Sequence, residues 1–320
     1  MENINEKPLV SVLIPTHERA KLFSLALASV VMQTYSNIEI IVSDNSMDDE
    51  TEVIVKEFQA KYDNIRYFHT PGLDMHGNWQ KCWDNMSDSA QYVNFLMDDD
   101  IFATNKIERM MDFFIENPKL SLVTSYRKLI DINGNLLPDL ECNSKVVDTD
   151  SIIEGEEAGY HLLVNGVNWI GEPTTVLFNR KYTNGFFRGW TGKEKYLILD
   201  YPLWLRLLEQ GPMAYIVEPL SFFRQHEKND SKNFNTIVEG QLSMAYTIST
   251  AWEKKRYLKE TSSIRKALFL WCGDTLRIMQ ACYECGYKRE AFDELRDVYR
   301  KMTDAYSHDK PIDVILVSGE

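Results

Sequence analysis

The sequence predicts an α/β fold, a parallel sheet with helical crossovers, followed by a C-terminal helical extension. Three observations predict it. Short β-rich apolar runs alternate with segments of helical spacing from Leu9 to Pro118, the pattern of strands joined by crossover helices. The run Asp98-Asp99-Asp100 arrives at the end of the apolar stretch from Tyr92 to Met97, and open α/β sheets place their functional groups at such carboxyl ends. From about Gly240 onward the apolar residues recur at helical spacing.

Taken in order, Leu9 to Ile14 is a strand stopped at Pro15, and Leu22, Leu25, Ala26, Ser29 and Val30 share a helix face. Ile38 to Val42 is a second strand ending at Ser43-Asp44-Asn45. Asp48 or Asp49 caps the next helix, whose face carries Val53, Ile54 and Phe58. Ile65 to Phe68 is a third strand, Trp79, Cys82, Trp83 and Met86 a helical stripe, and Tyr92 to Met97 a fourth strand. The helix after the acidic run shows Ile107, Met110, Met111 and Phe114 and stops at Asn117-Pro118. Leu120 to Ile130, Asn133-Gly134 and Leu136-Leu137 read as a hairpin. Gly155 to Asn165 reads as a helix and Val176 to Phe178 as a strand. Leu203, Leu207 and Leu208 form another helix face, closed by Gly211, and Ala214 to Val217 another strand. The tail holds two or three amphipathic helices, including Ile264 to Cys282 and Glu290 to Met302.

The 320 residues carry a net charge of −13. Residues 1–235 hold 22 basic and 35 acidic side chains, and residues 236–320 hold 13 of each. The acidic excess lies wholly in the first part, which argues against nucleic-acid binding. The boundary predicts two domains, 1–235 and 236–320. No apolar run approaches the ~20 residues of a membrane span, and Met1 to Lys7 lacks the basic start and apolar core of a signal peptide. Five cysteines without framework spacing fit a reducing compartment. Cys282 and Cys285 read as core thiols. A cytoplasmic location, or a peripheral one at the inner face of the membrane, is expected.

Three adjacent carboxylates repel one another unless a cation or a hydrogen-bonding ligand compensates them. Oxygen-only donors suit Mg²⁺ or Mn²⁺, bound through one or two carboxylates and substrate phosphates. An exposed acidic turn is the bland alternative, and it is less natural directly after a buried strand.

Five segments carry a resemblance in the same order: Val10-Ser11-Val12-Leu13-Ile14-Pro15-Thr16, Ile40-Ile41-Val42-Ser43-Asp44, Asp98-Asp99-Asp100, the segment Asp200 to Leu207, and Phe223-Arg224-Gln225-His226. Residues 8–228 resemble a family 2 glycosyltransferase of the GT-A fold, a Rossmann-like domain that binds nucleotide sugars. The resemblance implies a nucleotide-base site at Pro15 and Thr16, with Glu18 and Arg19 beginning the next element. It makes Asp44 the uracil-binding carboxylate. It puts Asp98 near the donor ribose and Asp100 on the metal, with Asp99 serving either task or holding the loop. Asn78 falls where relatives contact the donor, and a helix cap explains it equally well. Asp200 matches the catalytic base of an inverting transfer, which removes the acceptor hydroxyl's proton. His226 stands where relatives place an imidazole near the metal or diphosphate, and Arg224 is a candidate phosphate partner. The segment Trp169-Ile170-Gly171-Glu172-Pro173-Thr174 resembles the loop beneath acceptor and donor sugar in relatives, and Glu172 there, with Trp190, is a candidate for hydrogen bonding to, and stacking on, the sugar.

The expected activity is thus an inverting, metal-dependent transfer of a sugar from a nucleotide donor, UDP first, to a hydroxyl of a glycan, lipid-linked or protein acceptor. A sugar-nucleotide pyrophosphorylase is the rival enzyme, and Thr16-His17-Glu18-Arg19 lacks its Gly-rich basic loop. A non-catalytic sugar- or nucleotide-binding partner subunit is the rival outside catalysis, because Leu199 stands where relatives carry Glu. The C-terminal helices are expected to serve packing or homo-oligomerisation.

Overall fold

The computed structural model describes residues 7–183, 185, 190, 200–227 and 233–308. They fall within two compact units: one within Met1–Ile153, Trp169–Phe186 and Gln210–Gln225, the other within Glu154–Asn168, Phe187–Glu209 and His226–Glu320.

The first unit is built on one mixed sheet. In chain order it contains β1 (Val10–Thr16), α1 (Ala20–Val31), β2 (Ile38–Asp44), α2 (Glu50–Gln59), β3 (Ile65–His69), α3 (Met75–Asp84), β4 (Tyr92–Phe95), β5 (Ile101–Phe102) and α4 (Lys106–Glu116). There follow β6 (Leu122–Ile130), β7 (Leu136–Leu137), β8 (Ser151–Ile153), β9 (Leu177–Asn179) and β10 (Met213–Arg224). The strand order is β3-β2-β1-β4-β9-β6-β10-β5, with β7 on β6 and β8 on β10. The first four are mutually parallel, whereas β9 runs antiparallel to both β4 and β6. Every residue of β1 and β2 is buried, as expected of parallel strands covered on both faces. Their side chains pack with Phe23 and Leu27 of α1, Val55 of α2, and Met110 and Phe114 of α4 in one core.

The structure departs from the sequence reading in several places. On α1 Leu25 is exposed, and Phe23 and Leu27 join Ala26, Ser29 and Val30 on the buried face. Along α2 the buried residues are Thr51 and Val55, while Ile54 and Phe58 pack at the margin and Val53 is exposed. Val53 stands about 200° from Val55 around the helix, so a stripe centred between 51, 54, 55 and 58 leaves it outward. The Ala214 to Val217 strand continues through Pro219 to Arg224, because a register shift on either side of Pro219 absorbs its missing N–H. Cys285 is exposed beyond the last helical turn of its segment, whereas Cys282 is buried.

The second unit is helical. It comprises α5 (Gly155–Asn165), α6 (Asp200–Leu208), α7 (Phe234–Glu253), α8 (Thr261–Glu284) and α9 (Glu290–His308). The buried stripes are Leu242, Ala245 and Ile248 on α7, Ile264, Leu268 and Trp271 on α8, and Leu295, Val298 and Met302 on α9. The Trp271 indole donates to the Gln241 carbonyl at 2.9 Å, joining α8 to α7. Among the described residues no helix is long and apolar enough to cross a membrane.

Candidate active site

The order of strands reverses direction between β1 and β4, and crevices of α/β sheets open at the carboxyl ends beside such a switch point. Register puts Thr16 opposite Asp44 there, and the acidic run begins three residues after β4 ends. Its carboxylates are nearly or wholly shielded from solvent. Asp98 Oδ2 accepts from the Thr16 hydroxyl at 2.9 Å and from the His17 N–H at 3.2 Å. One guanidinium nitrogen of Arg19 lies 3.1 Å from both Asp98 Oδ1 and Asp99 Oδ2. Burial, and next the charge of Asp99, push the Asp98 carboxyl up to about 6, with Arg19 opposing.

Asp100 is wholly buried. Its Oδ2 accepts from the Thr174 hydroxyl at 2.6 Å and its Oδ1 from the Arg224 N–H at 2.9 Å. Burial pushes its carboxyl well above the usual range, and the neighbouring Asp99 charge adds to this. Among the described residues no cationic side chain forms an ion pair with Asp100.

Asp44, at the end of β2, is held from both sides: Oδ1 accepts from the Ser46 N–H at 2.9 Å and Oδ2 from the Tyr67 hydroxyl at 2.8 Å. Burial first, then the bond to Asp44, drive the Tyr67 phenol upward. The Tyr67 ring stacks on His69, whose Nε2 lies 3.0 Å from the Ser46 carbonyl. Asn78 is buried in the first turns of α3, where Asp74 is the cap, accepting from the Gly77 N–H. Its amide donates to the Thr16 carbonyl and to Asn45 Oδ1, both at 3.1 Å, joining the ends of β1 and β2. Pro15 is buried opposite Ser43. Glu18 adopts φ +51°, unusual for a residue with a side chain, and its N–H donates to Ser46 Oγ at 2.7 Å.

Arg224, expected to reach phosphates or a sugar, is 1% exposed. It donates to the carbonyls of Asp99 (2.7 Å), Asp131 (2.9 Å) and Ile132 (3.2 Å), so it braces the acidic loop through main chain. Glu172 forms a two-point pair with Arg127, at 2.6 Å and 3.2 Å, and keeps about a fifth of its side chain exposed.

In the second unit Asp200 opens α6, where the helix dipole favours a carboxylate, and its Oδ2 accepts from the Asn168 amide at 2.8 Å. His226 is half-buried. Trp190, expected to stack on a sugar, is 5% exposed. It packs against Tyr257 and lies beneath the Lys254 ammonium, 4.6 Å from its ring centre.

Within the first unit the structure therefore brings together Thr16, Arg19, Asp98 and Asp99, joins Thr16 to Asn78, and connects Asp99 and Asp100 to Arg224. Sequence reasoning missed Tyr67, Arg127 and Thr174. Tyr67 carried a detectable signal, as a polar tip near the end of β3 beside Asp44; Thr174 closes the segment that resembles the family's sugar-site loop, but nothing in that resemblance pairs it with Asp100, 74 positions away.

Comparison with known proteins agrees with this architecture. Residues 11–187 match the family model described as Glycosyl transferase family 2. A GalNAc(5)-diNAcBac-PP-undecaprenol beta-1,3-glucosyltransferase of Campylobacter jejuni is 24% identical over 288 residues, 88% of each chain. An uncharacterized glycosyltransferase of Rickettsia felis is 28% identical over 236 residues, 72% of this chain; the match spans only 36% of that relative. The crystal structure of S. aureus TarS 1-349 in complex with UDP-GlcNAc superposes with a TM-score of 0.55 at 14% identity, covering 94% of this chain and 92% of that one. With its GT-A sheet and a family match across more than half of its length, the chain belongs to glycosyl transferase family 2.

Proposed function

We propose that the chain transfers a sugar from a UDP-sugar to a hydroxyl acceptor, in one displacement that inverts the anomeric centre. The observation that carries this reading is the pairing, at one sheet edge, of a buried carboxylate held by two donors (Asp44) with three adjacent carboxylates, of which Asp98 and Asp99 pair with Arg19 and Asp100 has no cationic partner among the described residues. The first suits a ring N–H of uracil. The second is an excess of negative charge that suits a divalent cation.

The donor set fits Mn²⁺ or Mg²⁺. Both Asp100 oxygens keep a lone pair after their single hydrogen bonds. Among the described residues no three His, Cys, Asp or Glu side chains form a ready cage, so the reading assigns the ion to one or two carboxylates together with the donor's phosphates. Asp100 would hold it. When bound, the ion supplies charge neutralisation to the departing diphosphate. Asp44 accepts from the base, Asp98 from the ribose, and Pro15, Thr16, Glu18, Arg19, Asn78 and Asp99 form the surrounding donor site. Asp200, oriented by Asn168, takes the acceptor proton. Glu172 contacts sugar hydroxyls.

Residues 1–235 act as the catalytic part and 236–320 as a helical region for packing or self-association. The similarity to the C. jejuni glucosyltransferase, whose name gives an undecaprenol-linked glycan, supports a lipid-linked glycan as the acceptor class. The test is binding and slow hydrolysis across a panel of nucleotide sugars with Mn²⁺, for wild type and Asp200→Asn. The reading expects metal-dependent binding of one UDP-sugar by both proteins and loss of hydrolysis by roughly 10²–10⁴-fold in the variant. Absence of binding with every divalent metal would remove the donor-site assignment. Equal hydrolysis in both proteins would remove Asp200 as the base.

A further inference from the structure

Asp100 is held by Thr174, the last residue of the segment that carries Glu172. The Thr174 hydroxyl has one proton and sits between two groups. Its oxygen accepts from the Met97 N–H at 3.1 Å, so the proton is directed to Asp100 Oδ2, 2.6 Å away. The hydroxyl cannot turn without leaving the half-buried Met97 N–H or the buried carboxylate oxygen without that bond.

The main chain carrying Thr174 is also fixed. Asn94, in the interior of β4, donates its amide to the carbonyls of Pro173 and Thr174, at 3.1 Å and 3.2 Å. The wholly buried ammonium of Lys106 donates to the Thr175 carbonyl at 2.9 Å. Gly171 adopts φ +112°, and a Cβ there would come within 2.9 Å of the Thr175 side chain. The strap from Gly171 to Thr175 is thus packed too closely for the hydroxyl to drift, and the Arg224 N–H holds the other carboxylate oxygen.

We infer that Thr174 is a positioning residue for the metal-binding carboxylate of Asp100, fixing the plane in which its oxygens meet a divalent cation. This rests on the metal role proposed above for Asp100. Groups that orient a ligand govern affinity as well as the ligand itself does, and their loss lowers it about 10–100-fold.

The test compares wild type, Thr174→Val, Thr174→Ser and Asp100→Asn. Mn²⁺ affinity in the presence of UDP is read from the loss of the free-ion paramagnetic resonance signal, and UDP affinity in chelator from calorimetry. Valine keeps the volume and removes the hydroxyl; serine restores it. The expected result is Mn²⁺ affinity lowered about tenfold or more in Thr174→Val, near wild type in Thr174→Ser, and lost in Asp100→Asn, with metal-free UDP affinity unchanged in all. Wild-type Mn²⁺ affinity in Thr174→Val, alongside loss in Asp100→Asn, would overturn the positioning role and leave the metal reading standing. Wild-type affinity in Asp100→Asn would remove the metal reading itself. A uniform fall in metal-free UDP affinity would mark Thr174 as merely structural. If the valine variant does not fold, Thr174→Cys keeps the volume with a weaker donor and is judged by the same readings.

Discussion

The carboxylate of Asp98 makes the stability of the metal-free protein depend on pH, and Asp98→Asn isolates that contribution. Burial and the charge of Asp99 raise this carboxyl from 3.8 to about 6 in the folded chain. The native state therefore binds the proton more tightly than the unfolded state. The stabilisation is fully present below pH ~4 and is lost as the pH rises through ~6. A rise of about two units, at about 1.4 kcal/mol per unit, corresponds to about 3 kcal/mol. In Asp98→Asn the amide oxygen still accepts from Thr16 and His17, but an N–H₂ faces Arg19, which adds a pH-independent cost of about 1 kcal/mol. Urea unfolding in chelator, repeated from pH 4 to 8, measures both parts. Wild type should lose stability across this window, and the variant should show a profile flatter by about 3 kcal/mol, the remaining slope coming from Asp100, which burial also raises. Parallel profiles for the two proteins would refute the argument, because they would mean that the buried carboxyl titrates alike folded and unfolded.

Three other perturbations test separate parts of the molecule. Tyr67→Phe removes one of the two donors that hold Asp44; UDP affinity by calorimetry should fall roughly tenfold, and an unchanged value would take Asp44 away from the base. Glu18→Gly relieves a side chain held at φ +51° and should raise unfolding stability by up to about 1 kcal/mol; a loss would show that the Glu18 side chain contributes more than its backbone costs. Gly159→Ala drives a Cβ into the Tyr257 ring and should cost about 1–3 kcal/mol by overpacking. Most of that cost should vanish in a Tyr257→Leu background, and its persistence there would put the cause elsewhere.

The sequence by itself determined the first four strands and their helices. β1 to β4 with α1 to α4 alternate at periods of two kinds, and that local signal survives because each element buries its own apolar side chains against a neighbour close in the chain. It also determined that Thr16, Asp44 and the acidic run lie near one another, since all three end parallel strands and parallel strands share a carboxyl edge. The family emerged from these segments together with Asp200 to Leu207 and Phe223 to His226, and the family match over residues 11–187 agrees. Tertiary structure decided what surrounds each group. Arg19 lies against Asp98 and Asp99 because the turn after β1 folds back over the neighbouring strand end, not because of any spacing between 19 and 98. Arg224 came to brace carbonyls because β10 runs unbroken through Pro219, a continuation that the proline itself conceals in the sequence. Trp190 went under Lys254 and Tyr257 because an isolated aromatic carries no local indication of which surface will cover it. Thr174 met Asp100 only through the antiparallel insertion of β9 between β4 and β6. Contacts of that kind are set by which strands pair, and pairing over tens of residues is an energy of the whole sheet rather than a property of any one segment.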